Sequence, residues 1–134
     1  MNDKTTYARV SRVENFFNML LTKYAVSKQL FISNLPVTIK SEWNDMVLID
    51  VGSGVNKGAH RQFSVNTYLY GRSQGDLQKK NVKVIDAMEE KLLTAIEECH
   101  DKHYHPSVNW SNSDYDNTRN FHFNVVNITI LIND

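Results

Sequence analysis

The chain has 134 residues and a mass of 15.5 kDa, one domain's worth, with 41% hydrophobic and 22% charged side chains. Fifteen Lys and Arg balance fifteen Asp and Glu, which argues against capture of nucleic acid or an anionic membrane by bulk charge. A single cysteine, Cys99, excludes an internal disulfide framework, and the longest apolar run, Ile128 to Ile132, is far too short for a bilayer.

Residues 1–10 carry no hydrophobic pattern, and Met1-Asn2-Asp3-Lys4 opens without an apolar signal region. The expectation is one intracellular α+β domain over 1–134 with a flexible leading segment. Ser11-x-x-Glu14 has the form of a capping box. Val13, Phe16, Phe17, Leu20, Leu21 and Tyr24 then fall on one stripe of a helix of about four turns. A stripe of that kind is a core-packing face.

Leu35, Val37 and Ile39 alternate with Pro36, Thr38 and Lys40, which predicts a short strand with proline at its entry or on an edge. Met46 to Val51 predicts a second strand after the turn residues Asn44-Asp45. Beyond a loop carrying Gly52, Gly54 and Gly58, His60 to Tyr70 alternates again. Phe63, Val65, Thr67 and Leu69 would face one side, and Ser64, Asn66, Tyr68 and Tyr70 the other. Three strands with short links suggest an antiparallel meander.

Asp76 after Gly75 reads as the N-cap of the longest helix, reaching about His100 or Lys102, with Ile85, Met88, Leu92, Ile96 and Cys99 on its apolar stripe. Pro106 then blocks further helix. Val108 and Trp110 predict a short strand, Asn112 to Asn117 a polar turn, and Phe121 to Ile132 the most strand-like segment of the chain, expected in the sheet interior or joined to a neighbouring subunit. The doublet Val125-Val126 shifts its alternation by one position, the signature of a β-bulge or a strong twist. Fifteen asparagines fit short connections and polar strand faces. The predicted fold is α+β: an antiparallel or mixed sheet of about five strands with two helices packed on it, in the order α-β-β-β-α-β-β.

Few residues suggest chemistry. Gly52-Ser53-Gly54-Val55-Asn56-Lys57-Gly58 follows a strand as a phosphate loop does, but Lys57 precedes Gly58 and a strand follows, so the amide cradle of a helix N-terminus is missing. Cys99 and His103 would share a helix face, with His100 and His105 beside them, which is chelating spacing. A full ligand set is not in view, and histidines also suit a helix C-terminus. Asp114-x-Asp116-x-Thr118 begins like a calcium loop, yet Arg119 stands where glycine is required. No metal, cofactor or catalytic residue is therefore assigned, and an enzyme is the weaker reading. Tyr68, Tyr70 and Arg72 form a possible stacking surface for single-stranded nucleic acid, against which the neutral charge counts.

Phe63-Ser64-Val65-Asn66-Thr67-Tyr68-Leu69-Tyr70-Gly71-Arg72, the helix ending Met88-Glu89-Glu90-Lys91-Leu92-Leu93-Thr94-Ala95-Ile96, and the turn Asp114-Tyr115-Asp116-Asn117-Thr118-Arg119 before Phe121-His122-Phe123-Asn124-Val125 together resemble the core of phage tail completion or tail terminator proteins. The resemblance covers about residues 35–132 and is one of pattern. The glycine-rich loop 52–58 and the long last strand depart from it. It implies a non-enzymatic virion assembly subunit that closes with its own copies into a ring, typically a hexamer. Such a ring caps the tail tube and joins it to the head-connector proteins, in the cytoplasm of a bacterial host and then in the virion tail. Under that reading Gly54, Lys57, Tyr70, Arg72, Asp114, Asp116 and Arg119 are the candidate subunit or partner contacts, and the segments around Pro36 and Phe121–Ile132 are the strand edges used by neighbours. The other reading is a monomeric intracellular module that binds a small ligand or single-stranded nucleic acid.

Overall fold

The computed structural model describes residues 9–56, 58, 60–74 and 79–133. In chain order these form α1 (Val10–Lys23), β1 (Leu30–Ile32), β2 (Asp45–Val51), β3 (Val55–Asn56), β4 (His60–Arg72), α2 (Val82–Glu97), β5 (Tyr104–Asp116) and β6 (Phe121–Asn133). The class is α+β as expected, with one short strand more than the predicted order. The segment 1–8, Lys57 and the expected cap Asp76 lie outside the described residues.

The sheet runs β1-β2-β4-β6-β5, and β3 lies beside β4 beyond the end of β2. Only β1 and β2 are parallel; the other neighbours are antiparallel. On β4, Phe63, Val65, Thr67 and Leu69 face the helices as predicted, and are buried there. They meet Val47 and Ile49 of β2, Ile128 and Ile130 of β6, and the stripes Val13-Phe17-Leu21 of α1 and Ile85-Met88-Leu92 of α2. Each such side chain contributes about 1.5–3 kcal/mol by leaving water.

Thr67 sits in the middle of this core, opposite Ile49 and Val126, fully buried. Its hydroxyl has no hydrogen-bond partner among the described residues. A buried unpaired hydroxyl is costly, whereas a methyl of the same shape is not. Thr67→Val is therefore expected to raise stability by about 1 kcal/mol, read as a higher urea midpoint at unchanged slope; a lower midpoint would refute it.

Several local expectations are corrected. The helix α1 starts at Val10 with Arg9 as its N-cap and no side-chain cap bond, so Ser11 lies inside the first turn and forms no capping box. Glu14 instead accepts a hydrogen bond from Ser33 Oγ at 3.0 Å. Residues 35–40 are not a strand. Leu35 and Ile39 pack down on the outer face of the sheet while Val37 points fully into solvent, so their alternation marks a covering loop. Gln74 and Lys79 exchange both backbone hydrogen bonds, which holds the α2 start back to Val82, and α2 ends at Glu97.

The last third differs most. The expected short strand at 108–110 is the thirteen-residue β5, which absorbs the expected polar turn, and the reversal falls at 117–120. Asn120 adopts φ +59° there, a left-handed conformation that asparagine tolerates. β6 carries no bulge at Val125-Val126: its pairing with β4 is unbroken from Arg72↔Phe121 to His60↔Asn133. The shift in alternation is a change of buried face. Val126, Ile128, Ile130 and Ile132 point to the helices, whereas Phe121, Phe123 and Val125 point to the outer face. The register shift lies on β5, between Val108 and Trp110. With β4 on one side and β5 on the other, β6 is an interior strand and offers no edge to a neighbour.

Candidate functional site

The candidate contact residues separate into two ends of the sheet. Gly54 lies against Phe63, where a β-carbon would come within 2.5 Å of the ring. Its missing side chain serves packing. Tyr70, Arg72, Asp114, Asp116 and Arg119 gather at the opposite end, nine residues further along β4, or roughly 30 Å away. Lys57 is outside the described residues.

Tyr70 and Arg72 are not on display. Tyr70 is 6% exposed, in an outer-face cluster with Met46 and Phe121 that the loop 33–44 covers. Burial first, and the charge of Asp116 second, push its hydroxyl up to about 12. Arg72 donates from Nε to the carbonyl of Trp43 at 2.9 Å and from a terminal nitrogen to that of Lys40 at 3.0 Å. Its guanidinium also lies 4.6 Å from the Phe121 ring centroid. The arginine fastens the loop to the sheet, so the Tyr68–Arg72 stacking surface is not presented as a unit. Asp116 accepts from the Arg119 backbone at 3.0 Å and pairs with its guanidinium at 2.8 Å, closing the β5–β6 turn, and Asp114 caps the amide of Tyr115 at 2.8 Å.

The metal-like cluster is dispersed as well. With α2 ending at Glu97, Cys99 and His103 share no helical face. His103 Nδ1 lies 2.7 Å from the carbonyl of Asn133, and His105 Nε2 3.2 Å from that of Lys102. Among the described residues no three His, Cys, Asp or Glu converge on one point.

What the sequence did not single out is β5 as an edge strand. β6 covers one side of it, and the other side has no strand among the described residues. From Ser107 to Asp114 every residue is exposed, with Val108 at 38% and Trp110 at 46%. No Lys, Arg, Asp or Glu occurs from His105 to Ser113, although charged side chains are the usual means of blunting an open edge. Pro106 and the register shift beyond Val108 interrupt its first half. From Trp110 to Asp116 the ladder is regular.

Polar side chains hold this edge from both faces. Toward α2, Ser111 donates to Glu89 at 2.6 Å, Ser113 donates to Asn124 at 2.7 Å, and Lys80 donates to both Ser113 and Asn124. On the outer face, Asn109 donates to Asn127 and Thr129, and Asn127 to Ser64 and Asn66. Nearby, Ser73 and His122 meet at 2.8 Å, and burial, then the charge of Lys80, hold that imidazole below the ordinary histidine value. These bonds hold the strand firmly between the two faces, and at its end the amide of Tyr115 is taken by Asp114.

Among the described residues no helix is long and apolar enough to cross a membrane. No protein-family model matches the chain, and no curated protein matches it either.

Proposed function

We propose that this chain is a structural assembly subunit of the tail terminator kind, closing with its own copies into a ring that caps a tail tube and joins it to a head. The observation that carries the reading is the edge of β5, which has no strand beyond it among the described residues and no charged side chain from His105 to Ser113. A strand edge with no neighbouring strand is a template for another chain. The opposite flank of the sheet is unlike it, being built from the three-residue β1 and the two-residue β3. Contacts between unlike surfaces generate rings when the rotation closes. The tube and the head connector are then the ring's partners, in the host cytoplasm and later in the virion.

The test is light scattering over a wide concentration range with negative-stain imaging of the most concentrated sample. A closed species of several subunits, seen as rings, is the expected result. A monomer that stays monomeric when presented with tube ends would overturn the reading. It would leave a small-ligand module, for which the cleft of about 550 Å³ lined by Ser27, Lys28, Asp45 and Lys91 is the place to look.

A further inference from the structure

We propose that the outer face of the sheet carries a binding site for a neutral oligosaccharide, built on Trp110, Asn66 and Asn109. The register places it. Asp50↔Asn66, Asn66↔Asn127 and Trp110↔Asn127 are cross-strand partners, so these four residues form one row across β2, β4, β6 and β5. Trp110 stands in that row because of the register shift on β5. Val108 pairs with Ile128 and so points to the helix side, and strict alternation would send Trp110 there too. The extra residue, Asn109, turns both itself and Trp110 to the outer face, as bulges do when they re-aim a side chain beside a site. Asp50, Asn109 and Trp110 are exposed and Asn66 is half-buried, so this part of the face meets solvent.

The polar groups are set in advance. Asn127 is buried and committed inside the protein: its Oδ1 accepts from Asn109 at 2.8 Å, and its Nδ2 donates to Ser64 at 3.1 Å and to Asn66 at 2.8 Å. Those bonds fix which way each neighbouring amide turns. Asn109 uses its nitrogen on Asn127 and Thr129, which leaves its side-chain oxygen as an acceptor. Asn66 uses its oxygen on Asn127, which leaves an amide nitrogen with two N–H donors and no partner among the described residues. A ligand meets these groups already held, so little ordering remains to be lost on binding. Beside them the indole of Trp110 offers a flat apolar surface.

That combination selects the ligand. A sugar ring turns C–H groups to one face, which stack on an indole, and carries hydroxyls at its rim that both donate and accept. On this row and the two beside it, which hold Tyr68 and Asn112 on one flank and Ser64 and Thr129 on the other, the one charged side chain is Asp50. With no Lys or Arg there, a phosphate backbone finds no counter-charge, whereas a neutral hydroxyl can donate to that carboxylate. Trp110 and Asn66 lie two strands apart, roughly 10 Å, so the ligand is an oligosaccharide laid across the strands and not a single sugar. The site uses side chains of the sheet face, and goes beyond the ring reading without depending on it.

The experiment begins with an array of neutral and acidic glycans, on which the protein should retain neutral oligosaccharides. In a Trp43→Phe background, titration with the best-retained glycan should then shift the Trp110 emission to a plateau. By calorimetry with that glycan, Trp110→Ala should weaken binding about tenfold and Asn66→Ala about fivefold. Trp110→Tyr, which keeps a ring, should restore most of the loss. Val108→Ala, comparably exposed on the other face of β5, should leave the affinity unchanged. Asn66→Ala decides the matter should Trp110→Ala fail to fold. An array that retains no neutral glycan, a preference for acidic glycans, or equal affinities for the Trp110, Asn66 and Val108 variants overturns the proposal. A dimer that Trp110→Ala breaks, with no glycan retained, would give this face to a second copy instead. Rings without glycan retention would remove this site and leave the ring reading standing. A glycan-binding monomer that never yields rings would do the reverse.

Discussion

Phe121→Ala is expected to cost about 3–5 kcal/mol, as much as a large deletion in the helix-facing core. Phe121 is fully buried although it points away from both helices. It meets Tyr70 edge-on at 6.3 Å, carries the Arg72 guanidinium on its face, and lies in the cluster that Leu35 and Ile39 cover. Truncation would leave a cavity between sheet and loop that rigid β-structure cannot collapse to fill. Urea unfolding measures it. Trp110→Ala, on the same face but half exposed, should stay within about 0.5 kcal/mol in the monomer. A loss below 1 kcal/mol at Phe121 would mean that the loop is no true cover.

Arg72→Ala is expected to release that loop at a cost of about 2 kcal/mol, from two charge-assisted bonds to backbone carbonyls and the contact with Phe121. Part of the guanidinium meets solvent, so the figure already sits at the low end for such bonds. The local readout is Trp43, whose carbonyl Arg72 holds. Its emission should shift toward that of a solvated indole, in a Trp110→Phe background that removes the second tryptophan. Hydrogen exchange over 34–44 should accelerate while β4 and β6 stay protected. Arg72→Lys should not restore the bonds, because an ammonium lacks the planar fork that reaches two carbonyls at once. If Arg72→Ala leaves Trp43 emission and loop exchange unchanged, Arg72 is no fastening.

The elements read best from the sequence were those whose buried residues form an unbroken period or run. The α1 stripe and the Phe63–Leu69 alternation of β4 each imprint a single period on the residues, because one side meets the core and the other largely does not, while β2 reads as a plain apolar run because Val47 and Ile49 face the helices and Met46 and Leu48 the outer cluster. β5 left no such imprint. Both its faces are wet over most of its length, so Asn112 to Asp116 read as part of a turn, and only pairing with β6 makes them a strand. The doublet in β6 misled for the opposite reason: both faces are buried, but at different ends. Leu35 and Ile39 alternate like a strand because they reach down onto a sheet from a loop.

The candidate site suffered from the same blindness to distant parts. Tyr70 and Arg72 look displayed when β4 is read alone. What covers them comes from about thirty positions upstream, and no local pattern announces it. The acidic turn residues were placed near their actual position, but their role in closing the turn depends on a reversal at 117–120 that the polar run put too early.

The double-sided character of β6 also sets a sequence of events for the chain as it folds. The β5–β6 hairpin closes over a short loop and can form within microseconds. The β4–β6 ladder joins segments roughly fifty to seventy positions apart, and loop-closure entropy makes such contacts late. In the interval, the hairpin carries Val126, Ile128, Ile130 and Ile132 on one side and Phe121, Phe123 and Val125 on the other, with neither β4 nor a helix yet in place. That interval is the chain's period of greatest exposure to misassociation. Its yield on refolding should therefore fall with concentration more steeply than the stability of the finished fold would suggest.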